Sequence, residues 1–86
     1  MEVHGIDMFQ GAYKVSFQAG GQTIRGLVPE TLVAEALKRA GRPAHVDAYQ
    51  WIAAHRTDIE NALLKMFRGE GGVRTPYDRL SLMQET

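Results

Sequence analysis

Between Tyr13 and Val28 the chain alternates apolar with polar side chains around a pair of glycines. Tyr13, Val15 and Phe17 are separated by Lys14, Ser16 and Gln18, the period-two pattern of a strand with one buried face. Gly20 and Gly21 supply a two-residue turn, because tight hairpin turns demand the positive φ that glycine adopts freely. Pairing Ala19 with Gln22 sets Phe17 against Ile24, Val15 against Gly26 and Tyr13 against Val28. These positions share one side of the ribbon, while Lys14 with Leu27, Ser16 with Arg25 and Gln18 with Thr23 share the other. A slip of one residue would turn one apolar set outward, so the register is strongly specified.

The pattern then changes to a helical period. "PETLVAEALKRAG" places Leu32, Val33, Ala36, Leu37 and Ala40 on one face. Pro29 suits the first turn, Glu30 complements the helix dipole, and Lys38, Arg39 and Gly41 mark the end. After the break at "GRPAH", a second helix is predicted from Val46 or Asp47 to Phe67 or Arg68, with Asp47 as N-cap and Gly69 just beyond the C-terminus. Its apolar stripe is Tyr49, Ile52, Ile59, Leu63 and Met66, widened by Ala62 and Phe67. Trp51 lies off the stripe's centre, and Arg56 lies within it. "GEGGVRTP" reads as a loop. Leu80 and Leu82 alternate with Ser81 and Met83, which predicts a short last strand, with a helix over 78–83 as the alternative. At the other end, Ile6, Met8 and Phe9 can form an N-terminal edge strand within residues 1–11.

The order strand–strand–helix–helix–strand predicts a small two-layer α+β domain. An antiparallel sheet of three to four strands packs one face against two helices. Residues 1–86 make a single domain, with 84–86 as a tail. A chain of this length buries only about 60% of its unfolded surface. Trp51 and the outer side of the long helix then leave apolar surface to cover, which predicts a homodimer.

Composition narrows the function classes. Hydrophobic residues at 44% and charged residues at 23% fit a folded domain. Ten basic and ten acidic residues give zero net charge, which argues against a nucleic-acid partner, since phosphate neutralisation dominates such affinity. The absence of cysteine excludes disulfides, thiolate metal sites and cysteine nucleophiles. The opening "MEVHGIDMFQ" lacks the basic and apolar regions of a signal peptide, and no apolar run approaches the ~18 residues of a membrane helix. The expectation is a cytoplasmic chain with no membrane partner.

Chemistry-bearing motifs are sparse. His4, His45 and His55 have no i,i+4 histidine partner, and His55 with Asp58 alone is short of a metal site, so neither metal nor cofactor is expected. The glycines of "GEGG" follow a helix instead of preceding one, the wrong polarity for phosphate. Ser16 and Ser81 lie outside any nucleophile motif, and Glu30 with Glu35 and Asp58 with Glu60 read as solvated helix surface. Two basic groups remain: Lys38, Arg39 and Arg42 with His45, and Lys65, Arg68 and Arg74 with Arg79. The expected function is a non-enzymatic binding or interaction module working through its sheet face or a helix groove. One alternative is a small-molecule or anion site in which Arg56, His55 and Arg25 converge, and another is a weak nucleic-acid binder using the second basic group.

Arg56 is the residue that the stripe does not explain. Glu60 is one turn on, so an i,i+4 ion pair is available. With its stem among Tyr49, Ile52 and Ile59, Arg56 would act as a structural clamp; with a free guanidinium it would be a binding group.

Ile52, His55, Arg56, Ile59, Glu60 and Ala62, together with Val15, Phe17 and Ala19 and with Ile24, Gly26, Val28, Glu30 and Leu32, form a pattern that resembles the small bacterial family named domain of unknown function 1488. The resemblance runs from about Tyr13 to Leu82. It implies a hairpin, a short helix, a long helix with an aromatic–His–Arg–Ile–Glu core and a closing strand. Ile52 stands where an aromatic residue is common, and Gly26 where cysteine is frequent, so no thiol role can operate here. The resemblance draws attention to Arg56 and Glu60 and implies no activity.

Overall fold

The computed structural model describes residues 1–38 and 44–83. Four strands form one antiparallel sheet in chain order: β1 (Glu2–Asp7), β2 (Ala12–Ala19), β3 (Gln22–Pro29) and β4 (Ser81–Leu82). Three helices lie between β3 and β4: α1 (Glu30–Ala36), α2 (His45–Ala54) and α3 (Arg56–Phe67). A single 3-10 turn, Tyr77–Arg79, leads into β4. This is the α+β architecture that the alternation predicts, with the N-terminal strand present and the closing segment a strand.

The central hairpin has the predicted register throughout, from Ala19 opposite Gln22 through Phe17 opposite Ile24 to Tyr13 opposite Val28. Gly20 and Gly21 have φ of 57° and 78°, so both central turn positions require left-handed backbone. β1 pairs with β2 less regularly. Val3 faces Val15 and Ile6 faces Tyr13, so His4 and Gly5 together face Lys14 in a bulge. Met8 and Phe9 are not strand residues; they sit in the turn after β1. Hydrogen bonds from the Gln10 side chain and backbone hold the Asp7 carboxyl in that turn below its ordinary pKa.

The core joins Tyr13, Val15, Phe17, Ile24 and Val28 of the sheet to Leu32 and Val33 of α1, Trp51 and Ile52 of α2, and Ile59 and Leu63 of α3. The closest approach is at Gly26. A Cβ there would lie 2.6 and 2.7 Å from the two Leu63 methyls and 3.1 Å from the Ser81 carbonyl oxygen. Glycine therefore lets α3 and β4 close on β3.

The helices depart from expectation in three ways. First, the long helix is two helices. His55, at φ −105° and ψ 18°, interrupts it and serves both as C-cap of α2 and as N-cap of α3. Second, the buried face is rotated by roughly half of the ~100° step between residues. Ala48, Trp51 and Ile52 of α2 and Ile59, Ala62 and Leu63 of α3 are buried, whereas Tyr49, Arg56 and Phe67 are exposed. Small alanines line the seam because they allow the helices to lie close to the sheet. Third, the caps differ. Ala44 is the N-cap of α2, with Asp47 inside its first turn. Pro29 caps α1, which ends at Ala36 with Lys38 in left-handed backbone, short of Ala40. Gly69 follows α3 with φ 73°, as predicted. Arg39, Gly41, Arg42, Pro43 and the 84–86 tail lie outside the described residues. None of the described helices is long and apolar enough to cross a membrane.

Candidate functional site

All the described helices pack on one side of the sheet, which leaves the polar half of the alternation on the other. Glu2, His4, Lys14, Ser16, Thr23 and Arg25 line an open groove there, about 450 Å³ in volume. His4 Nε2 lies 2.6 Å from Ser16 Oγ and 3.9 Å from a Glu2 carboxylate oxygen. A serine–histidine–acid relay places the acid on the opposite ring nitrogen, Nδ1. Here Ser16 and Glu2 approach the same nitrogen, so the arrangement ties β1 to β2 beside the bulge and does not activate Ser16. Across the other pair, Gln18 Nε2 donates to Thr23 Oγ1 at 2.7 Å.

A second cluster forms where α2 meets α3. The His55 ring stacks on Trp51, with centroids 4.4 Å apart and planes 28° apart. Its Nδ1 is 3.1 Å from the Tyr77 hydroxyl, which donates to Asp58 Oδ2 at 3.2 Å. Tyrosine has one hydroxyl hydrogen, and it is donated in the hydrogen bond to Asp58. His55 Nδ1 therefore carries the hydrogen and donates to Tyr77. Burial, reinforced by the Asp58 charge, raises the Tyr77 pKa and keeps the phenol neutral. This is a hydrogen-bonded brace at the helix break, linking it to the 3-10 turn. Beside it Asp58, Lys65, Arg74, Thr75 and Tyr77 border a second hollow of about 480 Å³.

The four residues singled out by sequence do not form one site. Arg25 lies in the sheet-face groove. His55 lies in the helix layer on the far side of the sheet, stacked on a core tryptophan. Arg56 opens α3 with its side chain 62% exposed and its Nε 3.8 Å from a Glu60 carboxylate oxygen. Such a pair is worth about 0.3–0.5 kcal/mol. Arg56 is thus neither a buried clamp nor in the seam; on the seam's own side of the break stands His55. Arg25 and the His55–Arg56 pair therefore lie on opposite sides of the sheet.

The second basic group also divides. Lys65 and Arg74 border one hollow, while Arg79 bonds Glu35 and, at 2.7 Å, the Thr31 hydroxyl on α1. Trp51, expected at an outer surface, is 9% exposed. Tyr77 and Ser16 had no motif to mark them; their roles come from contacts 22 and 12 residues distant in sequence. Among the described residues no group of three or more His, Cys, Asp or Glu side chains is placed to hold a metal. Comparison with known proteins finds no matching family model, curated protein or solved structure.

Proposed function

We propose that the chain is a non-enzymatic binding module whose working surface is the side of the sheet away from the described helices. The observation that carries this reading is the groove across β1, β2 and β3, with Lys14, Arg25 and His4 beside a single acid, Glu2. Its floor is a hairpin paired in register from end to end, and a preformed surface loses little entropy on binding. The charge balance favours a protein segment that presents carboxylates. Neither histidine cluster is arranged as a general base with an activated nucleophile, which supports binding over catalysis. The nucleic-acid reading loses support, because its basic group divides: Lys65 and Arg74 border a hollow beside Asp58, while Arg79 bonds Glu35 and Thr31. Residence in a bacterial cytoplasm belongs to the same reading, as does the resemblance to family 1488. So does a homodimer, though buried Trp51 does not supply its interface.

The test is recovery of partners from a native extract on the immobilised chain, followed by amide-exchange mapping of the purified complex. Protection of β2 and β3, with binding lost in Lys14→Glu and Arg25→Glu, is expected. Protection confined to the helices, or binding indifferent to both changes, would remove the sheet face from the proposal. Turnover of any substrate abolished by Ser16→Ala or His55→Ala would replace it with an enzymatic one.

A further inference from the structure

Phe9 is 103% exposed, and Met8 beside it is 61% exposed. The turn that carries them is tightly held. Asp7 Oδ1 accepts the backbone N–H groups of Phe9 at 2.9 Å and Gln10 at 3.2 Å, and its Oδ2 accepts Gln10 Nε2 at 3.0 Å. The Gly11 N–H closes the turn on the Asp7 carbonyl at 2.9 Å. An apolar ring is therefore displayed on a fixed support, where docking costs little ordering entropy and removes apolar surface from water.

A complementary feature lies toward the other end of the same strands. Ile24, Phe67, Leu82 and Met83 line a recess of about 220 Å³, large enough for one aromatic ring, with Thr23 and Arg25 completing its border. The knob has the acidic Asp7 at its base, and the recess has the basic Arg25 at its border, so the two match in polarity and in charge.

We propose that Phe9 of one copy seats in the Ile24–Phe67–Leu82–Met83 recess of a second copy, and reciprocally, to form a two-fold dimer. The eight residues of β2 separate the turn that carries the knob from the hairpin turn near the recess by about 27 Å. Two copies side by side with opposed strand directions bring each knob to the other's recess. Both contacts then close within one dimer and do not run on as a fibre. The inference rests on the homodimer reading, and its recess shares Thr23, Arg25 and Met83 with the sheet-face groove.

Light scattering and sedimentation across the micromolar range test it. The full chain is expected at twice 9.6 kDa. Phe9→Ser removes the knob, and Phe67→Glu puts a charge in the recess; both positions are exposed, so circular dichroism and melting should be unchanged. Each change should weaken the dimer roughly thirtyfold or more, the loss expected of an aromatic anchor. An equal mixture of the two variants retains one intact knob and recess and should associate more strongly than either alone. A one-chain mass for the unaltered protein throughout would overturn the inference together with the homodimer reading. A dimer that survives Phe9→Ser would overturn this interface and leave the homodimer standing.

Discussion

Replacing Gly26 with alanine asks the sheet to hold one methyl group where α3 leaves no room. The added carbon would lie 2.6 Å and 2.7 Å from the Leu63 methyls, against a normal carbon–carbon contact of about 3.5–4.0 Å. The overlap is thus close to an ångström on both branches at once, so no small rotation of Leu63 relieves it. The Ser81 carbonyl oxygen on the neighbouring strand, 3.1 Å away, crowds the added carbon from the side. Leu63 is fully buried, so moving it displaces core neighbours. Overpacking of this kind costs about 1–3 kcal/mol, and the lower chain entropy of alanine returns about 0.5–1 kcal/mol. A net loss of about 1–2 kcal/mol is expected in denaturant melts. Leu63→Val removes both clashing methyls and by itself should cost about 0.5–1.5 kcal/mol. The decisive measurement is the double variant, which should be more stable than the sum of the single losses by at least about 0.5 kcal/mol. Additivity, or an alanine variant as stable as the parent, would refute the steric account.

Arg56→Ala should shift stability by no more than about 0.5 kcal/mol, because the Glu60 pair is exposed; a loss above about 1 kcal/mol in the same melts would mean an unrecognised desolvated contact. Tyr77→Phe removes hydrogen bonds to Asp58 and His55 and should cost about 0.5–1.5 kcal/mol. Because the folded Tyr77 pKa is raised, its contribution is complete below the ordinary value of 10.0 and is lost as pH rises through the higher folded value; phenolate absorbance in parent and variant will show whether that late-titrating group is Tyr77. Asp7 has the opposite sign. Its carboxyl is held below 3.8, so its contribution is present above that pH and is lost as pH falls through the lower folded value. Asp7→Ala should flatten the acid limb of stability and speed amide exchange at Phe9 and Gln10; unchanged exchange would show that the carboxylate does not hold the turn.

The hairpin was legible in the sequence because two independent signals agree on it. A period of two sets the faces, and adjacent glycines fix the register. The helical stretch was only half legible. Hydropathy gives weight to Tyr49 and little to Ala48, yet close packing on the sheet favours the alanine. The inferred stripe was therefore rotated toward Arg56. The break at His55 carries no proline or glycine to announce it, and its brace comes from Tyr77, beyond the reach of any local pattern. The sheet-face groove was latent in the alternation of Lys14, Ser16, Thr23 and Arg25. The bulge that lets His4 reach Ser16 depends on β1 pairing, which no spacing rule supplies.

The position of the hairpin ahead of the helices has a consequence during synthesis. β1, β2 and β3 emerge before the helices, with Tyr13, Val15, Phe17, Ile24 and Val28 already on one side. The residue that closes over Gly26, Leu63, follows Val28 by 35 positions (63 − 28 = 35). At about 5–20 residues per second this is an interval of roughly 2–7 s. Throughout it the hairpin's apolar face lacks the side chain that closes over Gly26. Slowing elongation over residues 30–63 should lengthen this interval and raise the chain's dependence on ribosome-associated chaperones.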